Sequence, residues 1–164
     1  RGQSTVREHE ISEQKKLTTL LFAKEDFDEY LLVEAKVQTF ATYHISGKIV
    51  KEYFDDEESR KESFCQWKKV RNLCYDMVKG KKLPISFTIV LRLSSSMLLQ
   101  WLKNQDIDNH LVDGKSFFVN IYYREKRLYV VSGMASETFG LDKSVEKLWD
   151  DEVFRILSQL KVVA

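Results

Sequence analysis

The chain has 164 residues and a formal net charge of +1, from 26 basic and 25 acidic side chains. This balance excludes attraction of the whole protein to nucleic acid or to an anionic membrane, so any basic site must be local. The hydrophobic share of 43% and the aromatic share of 12% predict one packed domain over residues 1–164 rather than a disordered chain. The sequence has no run of about 18 apolar residues, so we expect neither a membrane span nor a membrane partner.

The N-terminal segment carries a loose helical pattern. Because the sequence begins at Arg1 rather than at a methionine, we expect residues 1–10 to be disordered or foreign to the natural protein. A capping box is matched by residues 5–8 (TVRE). Leucines that follow at roughly helical spacing predict a helix over residues 12–23.

A β-hairpin is predicted next. Apolar and polar residues alternate over residues 31–37, which predicts a half-buried strand that continues toward His44. Residues 46–47 (SG) give a tight-turn signal, and residues 49–54 are predicted to return as the partner strand. The acidic run at residues 55–58 is typical of an exposed loop.

The clearest unit of the sequence is a helix followed by a strand. Residues 67–79 predict an amphipathic helix that Gly80 ends. Pro84 then suits the first position of a strand. Residues 85–93 alternate strictly between apolar and polar, so we predict a central strand with one face on the core. The predicted buried stripe of the helix consists of Trp67, Val70, Leu73, Cys74 and Met77.

The C-terminal half adds helices and strands of the same kind. A serine within residues 94–96 is predicted to cap a helix, and strands are predicted over residues 117–123 and 128–131. Gly133 indicates a bulge or bend before residues 135–141. A final helix, with Asp142 as its predicted N-cap, has the broadest apolar stripe in the chain, made of Val145, Leu148, Trp149, Val153, Ile156, Leu157 and Leu160.

The order of elements predicts the fold class. Helix, two strands, helix, strand, helix, two or three strands and helix follow one another without an internal repeat or a linker. Hairpins of this kind favour a mainly antiparallel sheet with about four helices packed against it, a single α+β domain.

No motif in the sequence identifies a reaction. His44 and Ser46 lie close together, but no oxyanion-hole motif accompanies them. No two histidines have metal-ligand spacing, and no glycine-rich phosphate loop occurs. We therefore expect no metal and no cofactor. The enzyme hypothesis requires acid–base residues that come together only in the fold.

One segment is locally basic. Between Arg60 and Lys82 the sequence has eight Lys or Arg and two acidic residues. Such a segment fits either a solvated helix face or a surface that contacts phosphates and stacks bases. The candidate binding residues are Trp67, Lys68, Lys69, Arg71, Lys79, Lys81 and Lys82.

The two cysteines bear on the compartment. Cys74 lies in the apolar stripe, which favours a buried structural thiol, and Cys65 forms no C-x-x-C motif with it. A disulfide between the two is allowed by the sequence, but a reducing cytoplasm fits best.

Three phrases together resemble a family of small bacterial proteins of unknown function. They are residues 27–40 (FDEYLLVEAKVQTF), the W-x-x-V-R-x-x-C run that continues into VKGKKLPISF over residues 67–87, and residues 137–150 (ETFGLDKSVEKLWD). The resemblance covers about residues 17–162 and departs at residues 1–12. It implies a single intracellular bacterial domain and no particular activity.

Two classes of function follow from the sequence. The first is a non-enzymatic binding module for a protein or nucleic acid, with the basic segment as its contact surface; a nucleic-acid-associated protein would use residues 60–82. The second is an enzyme whose site is assembled in the fold. A polar pocket with converging ionisable groups would favour the enzyme, and an exposed apolar or basic surface would favour the module.

Overall fold

One antiparallel sheet organises the chain. The computed structural model describes residues 3–137 and 143–164, and it describes side chains from residue 7 onward. The strands are β1 (Gln3–Glu10), β2 (Leu31–Gln38), β3 (Thr42–Ser46), β4 (Ser86–Arg92), β5 (Lys115–Arg124) and β6 (Arg127–Ser136). The helices are α1 (Gln14–Phe22), α2 (Arg71–Val78), α3 (Ser95–Gln105) and α4 (Ser144–Gln159). The predicted α+β class, with an antiparallel sheet and four helices, is confirmed.

The sheet has the strand order β1-β6-β5-β4-β2-β3, and every neighbouring pair is antiparallel. Its inner face packs against the helices through edge-to-face ring contacts, such as Phe22 of α1 on Phe87 of β4 and Trp101 of α3 on Phe117 of β5. The outer face forms a basin of about 840 Å³ whose lining residues all come from strands. The described helices include none that is long and apolar enough to cross a bilayer.

Strand β4 occupies the centre of the sheet, as predicted. Phe87, Ile89 and Leu91 are buried, and the side chains between them are half-buried on the outer face. The prediction was wrong at Ile85, which is 64% exposed. The alternation continues through this residue, but Ile85 precedes the strand and lies beyond the edge of the core.

The N-terminal segment forms a strand. Residues 5–8, which match a capping box, lie within β1, so the predicted cap was wrong; helix α1 begins at Gln14. Strand β1 pairs with β6, and residues 6–7 bulge opposite Ser132. The bulge breaks the two-residue periodicity, which is why the sequence did not indicate a strand here.

The first hairpin turns earlier than predicted. Strand β2 ends at Gln38 and β3 begins at Thr42, so the turn lies at residues 39–41. The predicted strand over residues 49–54 was wrong, since this segment contains a 3₁₀ turn at Lys51–Tyr53. Gly47 is needed for close packing rather than for the turn, because a Cβ atom there would lie 1.8 Å from the carbonyl oxygen of Leu32.

The predicted helix over residues 67–79 is divided. A 3₁₀ turn spans Trp67–Lys69, and α2 follows from Arg71 to Val78. Leu73, predicted to be buried, is 55% exposed. Helix α2 has fewer than three turns, and it buries the side of the helix that carries Cys74, so Leu73, one residue earlier and about 100° around the axis, faces solvent.

The C-terminal elements agree with prediction at most points. Ser94 caps α3 by accepting a hydrogen bond from the Met97 amide. Strand β6 runs through Gly133 in regular register with β5, and the irregularity lies instead in the facing strand β1. The predicted N-cap Asp142 lies outside the described residues. Of its predicted apolar stripe, helix α4 buries Val145, Trp149, Val153 and Leu157. Ile156 and Leu160 are half-buried, and Leu148 is 38% exposed.

Candidate functional site

The structure divides the predicted basic surface into buried, paired and unpaired side chains. Trp67 is 0% exposed, and its indole Nε1 donates a 2.9 Å hydrogen bond to the Leu21 carbonyl oxygen. This side chain anchors the loop before α2 in the core. Trp67 is therefore not available to stack on a base or to contact a partner, and this part of the prediction is corrected.

Three of the basic residues contact acidic neighbours. Arg71 makes a two-pronged contact with Asp28, at 2.7 Å through Nε and 3.2 Å through Nη2. These hydrogen bonds raise the pKa of the Arg71 guanidinium. Lys68 lies 3.6 Å from Glu29, and Lys79 lies 3.0 Å from Asp76. These charges are partly compensated within the domain, and Arg71 fixes the start of α2 to the segment between α1 and β2.

Three lysines of the predicted basic surface have no carboxylate partner among residues 3–137 and 143–164. They are Lys69, Lys81 and Lys82, and all three are exposed. Lys81 and Lys82 lie together after Gly80, in the segment that leads from α2 to β4. The unpaired positive charge of the predicted surface is thus concentrated at one end of the sheet.

This end of the sheet carries a groove of about 420 Å³, which we call the end groove. It lies between the β2–β3 turn and the segment that leads into β4. Its lining residues are Thr39, Phe40, Asp76, Met77, Lys79, Gly80, Lys81, Lys82, Leu83 and Ile85. The groove therefore combines apolar side chains with lysines, and Asp76 is the acidic residue in its lining.

Three apolar side chains of the end groove are largely in solvent. Phe40 is 93% exposed, Leu83 is 68% exposed and Ile85 is 64% exposed. Single exposed apolar residues are common on protein surfaces, but several around one concavity mark an interaction site. The fold gains little from these side chains in the free protein.

A backbone hydrogen bond joins the two walls of the end groove. The Ile85 amide donates a 2.8 Å hydrogen bond to the Gln38 carbonyl oxygen, which joins the entry of β4 to the end of β2. Pro84 is buried, and Gly80 adopts a φ of +127°, a conformation that suits glycine. The β2–β3 turn and the segment that leads into β4 are therefore tied together beside the exposed side chains.

The sequence indicated only part of this site. The lysines were recognised from their clustering. Phe40 gave no periodic signal, because it lies in a turn, and Ile85 was assigned to the core. An aromatic residue in a tight turn between two strands is the one sequence signal that could have indicated an exposed apolar position.

The predicted His44–Ser46 pair does not assemble into a catalytic arrangement. The strand register places both side chains on the outer face, but His44 Nε2 lies 3.0 Å from Glu34 Oε1, at hydrogen-bonding distance in an exposed contact. The His44 imidazole therefore contacts Glu34 rather than the Ser46 hydroxyl, and the pair lacks the contact between base and nucleophile.

A second histidine lies in a buried polar cluster. His9 Nε2 is 3.4 Å from Asp150 Oδ1, and Ser132 Oγ donates a 2.8 Å hydrogen bond to the same oxygen. Nucleophilic catalysis requires the base to contact the nucleophile, whereas here both groups contact the carboxylate. In the described ranges, no three His, Cys, Asp or Glu side chains are arranged to hold a metal ion.

Comparison with known proteins places the chain in a family without assigning an activity. Searches of curated proteins and of solved structures each returned no match. A family model matches residues 20–163, which is most of the chain and includes the end groove and every strand except β1. The resemblance of the three sequence phrases to a family of unknown function is thereby confirmed. The chain belongs to DUF5721, a family of unknown function.

Proposed function

We propose that the protein is a non-enzymatic interaction module that binds a segment of a protein partner in the end groove. The segment would place an apolar side chain among Phe40, Leu83 and Ile85 and acidic side chains beside Lys81 and Lys82. The observation that carries this proposal is the exposure of three apolar side chains around one groove, next to unpaired lysines.

Apolar burial would supply the affinity. Covering one such side chain contributes about 1.5–3 kcal/mol, so three of them form a centre of sufficient size for a specific contact. The groove is concave, and its volume of about 420 Å³ is within the usual range of ligand pockets. A concave surface favours an inserted side chain over contact with a flat membrane.

The lysines would select the partner by charge. Lys79 is paired with Asp76, whereas Lys81 and Lys82 have no carboxylate neighbour in the described part of the chain. Acidic side chains flanking an apolar anchor would complement them and speed association.

A protein segment fits this surface better than a nucleic acid strand. Two of the three exposed apolar residues, Leu83 and Ile85, are aliphatic and offer no ring for base stacking. The nucleic-acid hypothesis also relied on Trp67, which is buried. The remaining basic residues of the segment keep that hypothesis testable, and it is included below as an alternative outcome.

The cytoplasm is the compartment that we propose. Cys65 and Cys74 are both free thiols, and Cys74 is fully buried. Free thiols persist in reducing compartments. Locating a fluorescent fusion of the protein in its native cell would test this assignment. Finding the fusion exported from the cytoplasm would contradict it.

An unbiased peptide selection tests the proposed interaction. A random peptide library displayed on phage is selected on the immobilised protein, and the most enriched peptide is measured by fluorescence anisotropy. We expect enriched peptides to combine an aromatic or aliphatic anchor with Asp or Glu. The double variant Phe40→Ser/Leu83→Ser is expected to bind about ten-fold or more weakly, because the apolar centre of the contact is removed.

Two further variants separate charge from non-specific effects. Lys81→Glu/Lys82→Glu is expected to weaken binding and to reduce its salt dependence. Leu99→Ser is the matched control, because Leu99 is 60% exposed on α3, away from the groove. The proposal is overturned by a library that yields no enriched peptide or by equal binding to the groove variant. It is also overturned if the groove lysines bind oligonucleotides or anionic vesicles but no peptide.

A further inference from the structure

The outer face of the sheet carries a second arrangement, independent of the end groove. In the strand register, Lys36 of β2, Thr88 of β4 and Tyr122 of β5 form one row across the sheet. Gln38, Ser86 and Arg124 form the adjacent row on the same three strands. All six residues line the basin of about 840 Å³.

Lys36 and Arg124 stand diagonally on either side of β4. Neighbouring strands are about 4.8 Å apart, so their backbones are separated by roughly 10 Å. Both side chains are long enough to converge above Ser86 and Thr88. Two cations on either side of Ser86 and Thr88 form an arrangement in which one oxyanion can contact both.

Neither cation is neutralised within the described residues. Lys36 makes no ion pair there, and Glu34, two residues earlier on the same face, contacts His44 instead. Arg124 contacts the Tyr122 ring at 4.8 Å and no carboxylate. Glu8 is the acidic residue of the basin lining, and it lies on β1, three strands away from β4.

The centre of the basin offers hydrogen-bond donors. Ser86 Oγ donates a 3.3 Å hydrogen bond to Gln38 Oε1, which occupies the amide oxygen and leaves the amide NH₂ group as a donor. The hydroxyls of Thr42 and Thr88 also line the basin. Hydroxyl, amide, ammonium and guanidinium donors together are the groups that bind phosphate.

Tyr122 narrows the class of ligand. Its ring is stacked on Tyr129 at 5.2 Å between centroids, and the Arg124 guanidinium lies over it at 4.8 Å. The Tyr122 ring therefore already contacts two side chains of the protein. The ring also holds the Arg124 guanidinium in place, which reduces the entropy lost when a ligand binds.

We propose that the outer face of the sheet binds a small phosphorylated molecule, with its phosphate between Lys36 and Arg124 and above Ser86 and Thr88. A nucleic acid strand fits less well, because the Tyr122 ring in the basin lining already contacts Tyr129 and Arg124 and would have to leave one of them to stack on a base. The site shares no residue with the end groove, so each proposal can fail without the other.

The test is a ligand titration of the isotope-labelled protein, monitored by NMR through the backbone amide resonances. The probes are inorganic phosphate, adenosine monophosphate, citrate and a single-stranded thymidine oligonucleotide. We expect saturable shifts with phosphate and with the nucleotide at residues 36–38, 86–88 and 122–124. Lys36→Gln and Arg124→Gln are each expected to weaken binding about ten-fold, the loss of one charge-assisted contact.

Lys103→Gln, on the exposed side of α3, is the control and is expected to bind normally. Both site variants alter exposed side chains, and thermal unfolding of each variant checks that it is folded. Three results overturn the proposal: no saturable shift with phosphate, equal affinity of both site variants and the control, or binding that requires the oligonucleotide. A response to citrate alone also overturns it, since it would show a carboxylate site.

Discussion

Arg7 Nε lies 2.9 Å from Asp150 Oδ2, which joins the edge strand β1 to helix α4 through a carboxylate that is 0% exposed. The other carboxylate oxygen accepts the hydrogen bond from Ser132 on β6. A buried carboxylate is costly unless it is paired and hydrogen-bonded. This cluster is therefore a structural junction of two strands and a helix.

Asp150→Ala is expected to lower the free energy of unfolding by about 2–4 kcal/mol. The substitution removes the contacts with Arg7, Ser132 and His9 and leaves the buried Ser132 hydroxyl without its acceptor. Urea unfolding followed by tryptophan fluorescence measures the change. Asp151→Ala is the control: this side chain is 52% exposed and lies 4.0 Å from Arg7, so we expect a loss below about 1 kcal/mol. Equal losses in the two variants would contradict a special role for Asp150.

The two cysteines should differ in reactivity. Burial raises the pKa of the Cys74 thiol from 9.0 to about 12, and burial also raises the pKa of the half-buried Cys65. At pH 8 we expect a disulfide reagent to label Cys65 in the native protein and Cys74 only after unfolding, because the thiolate is the nucleophile. Peptide mapping identifies the labelled site. Early labelling of Cys74 would show that its helix opens readily.

The raised pKa of Cys74 also predicts a pH dependence of stability. The unfolded thiol ionises near pH 9.0 and the folded one near pH 12, so the folded state holds its proton more tightly. The contribution is fully present below pH 9 and is lost as the pH rises from 9 to about 12. As the pH rises through this range, we expect the unfolding midpoint of the wild type to fall toward that of Cys74→Ala. Parallel profiles would exclude Cys74 as a cause of alkaline destabilisation.

Gly47→Ala should be far more damaging than a typical glycine substitution. Its new Cβ atom would meet the Leu32 carbonyl oxygen at 1.8 Å, so the backbone of β2 or of the loop must move. We expect a loss of at least about 3 kcal/mol, against about 1 kcal/mol for Gly114→Ala, where φ is +69° and the nearest atom is a flexible Glu137 side-chain oxygen at 3.4 Å. Thermal unfolding of both variants provides the comparison.

The position of β4 gives a matched pair of isoleucines. Ile89→Ala is expected to cost about 2–5 kcal/mol, because Ile89 is 0% exposed in the centre of the sheet. Ile85→Ala is expected to cost less than about 0.5 kcal/mol, because Ile85 is 64% exposed. Chemical denaturation measures both losses. A large loss at Ile85 would mean that the end groove is part of the core.

The sequence predicted the elements in which one periodicity persists from end to end. Strand β4 alternates without interruption between two strand neighbours, and its central place followed from that pattern. Strand β1 was missed because its bulge shifts the pattern by one residue. The first hairpin was misplaced because Gly47 was taken as a turn residue, whereas its lack of a side chain permits contact with Leu32.

The candidate sites were harder to predict than the fold. Alternation tells which side chains share a face of a strand, but it does not tell where the helical layer above that face ends. Ile85 therefore looked like core, and Phe40 had no pattern at all. The placement of Lys36 and Arg124 on either side of β4 depends on a register between strands far apart in sequence, which a single sequence does not reveal.

The pairing of β1 with β6 has a consequence for the order of folding. Strand β1 finds its partner more than a hundred residues later in the chain, and the amides of Ser12 and Glu13 donate to the Val162 carbonyl oxygen. During synthesis the first strand must wait, unpaired, until the last strand has left the ribosome. Pairing of β1 is accordingly a late event in the folding of this domain, and the edge of β6 that β1 covers stays open until then.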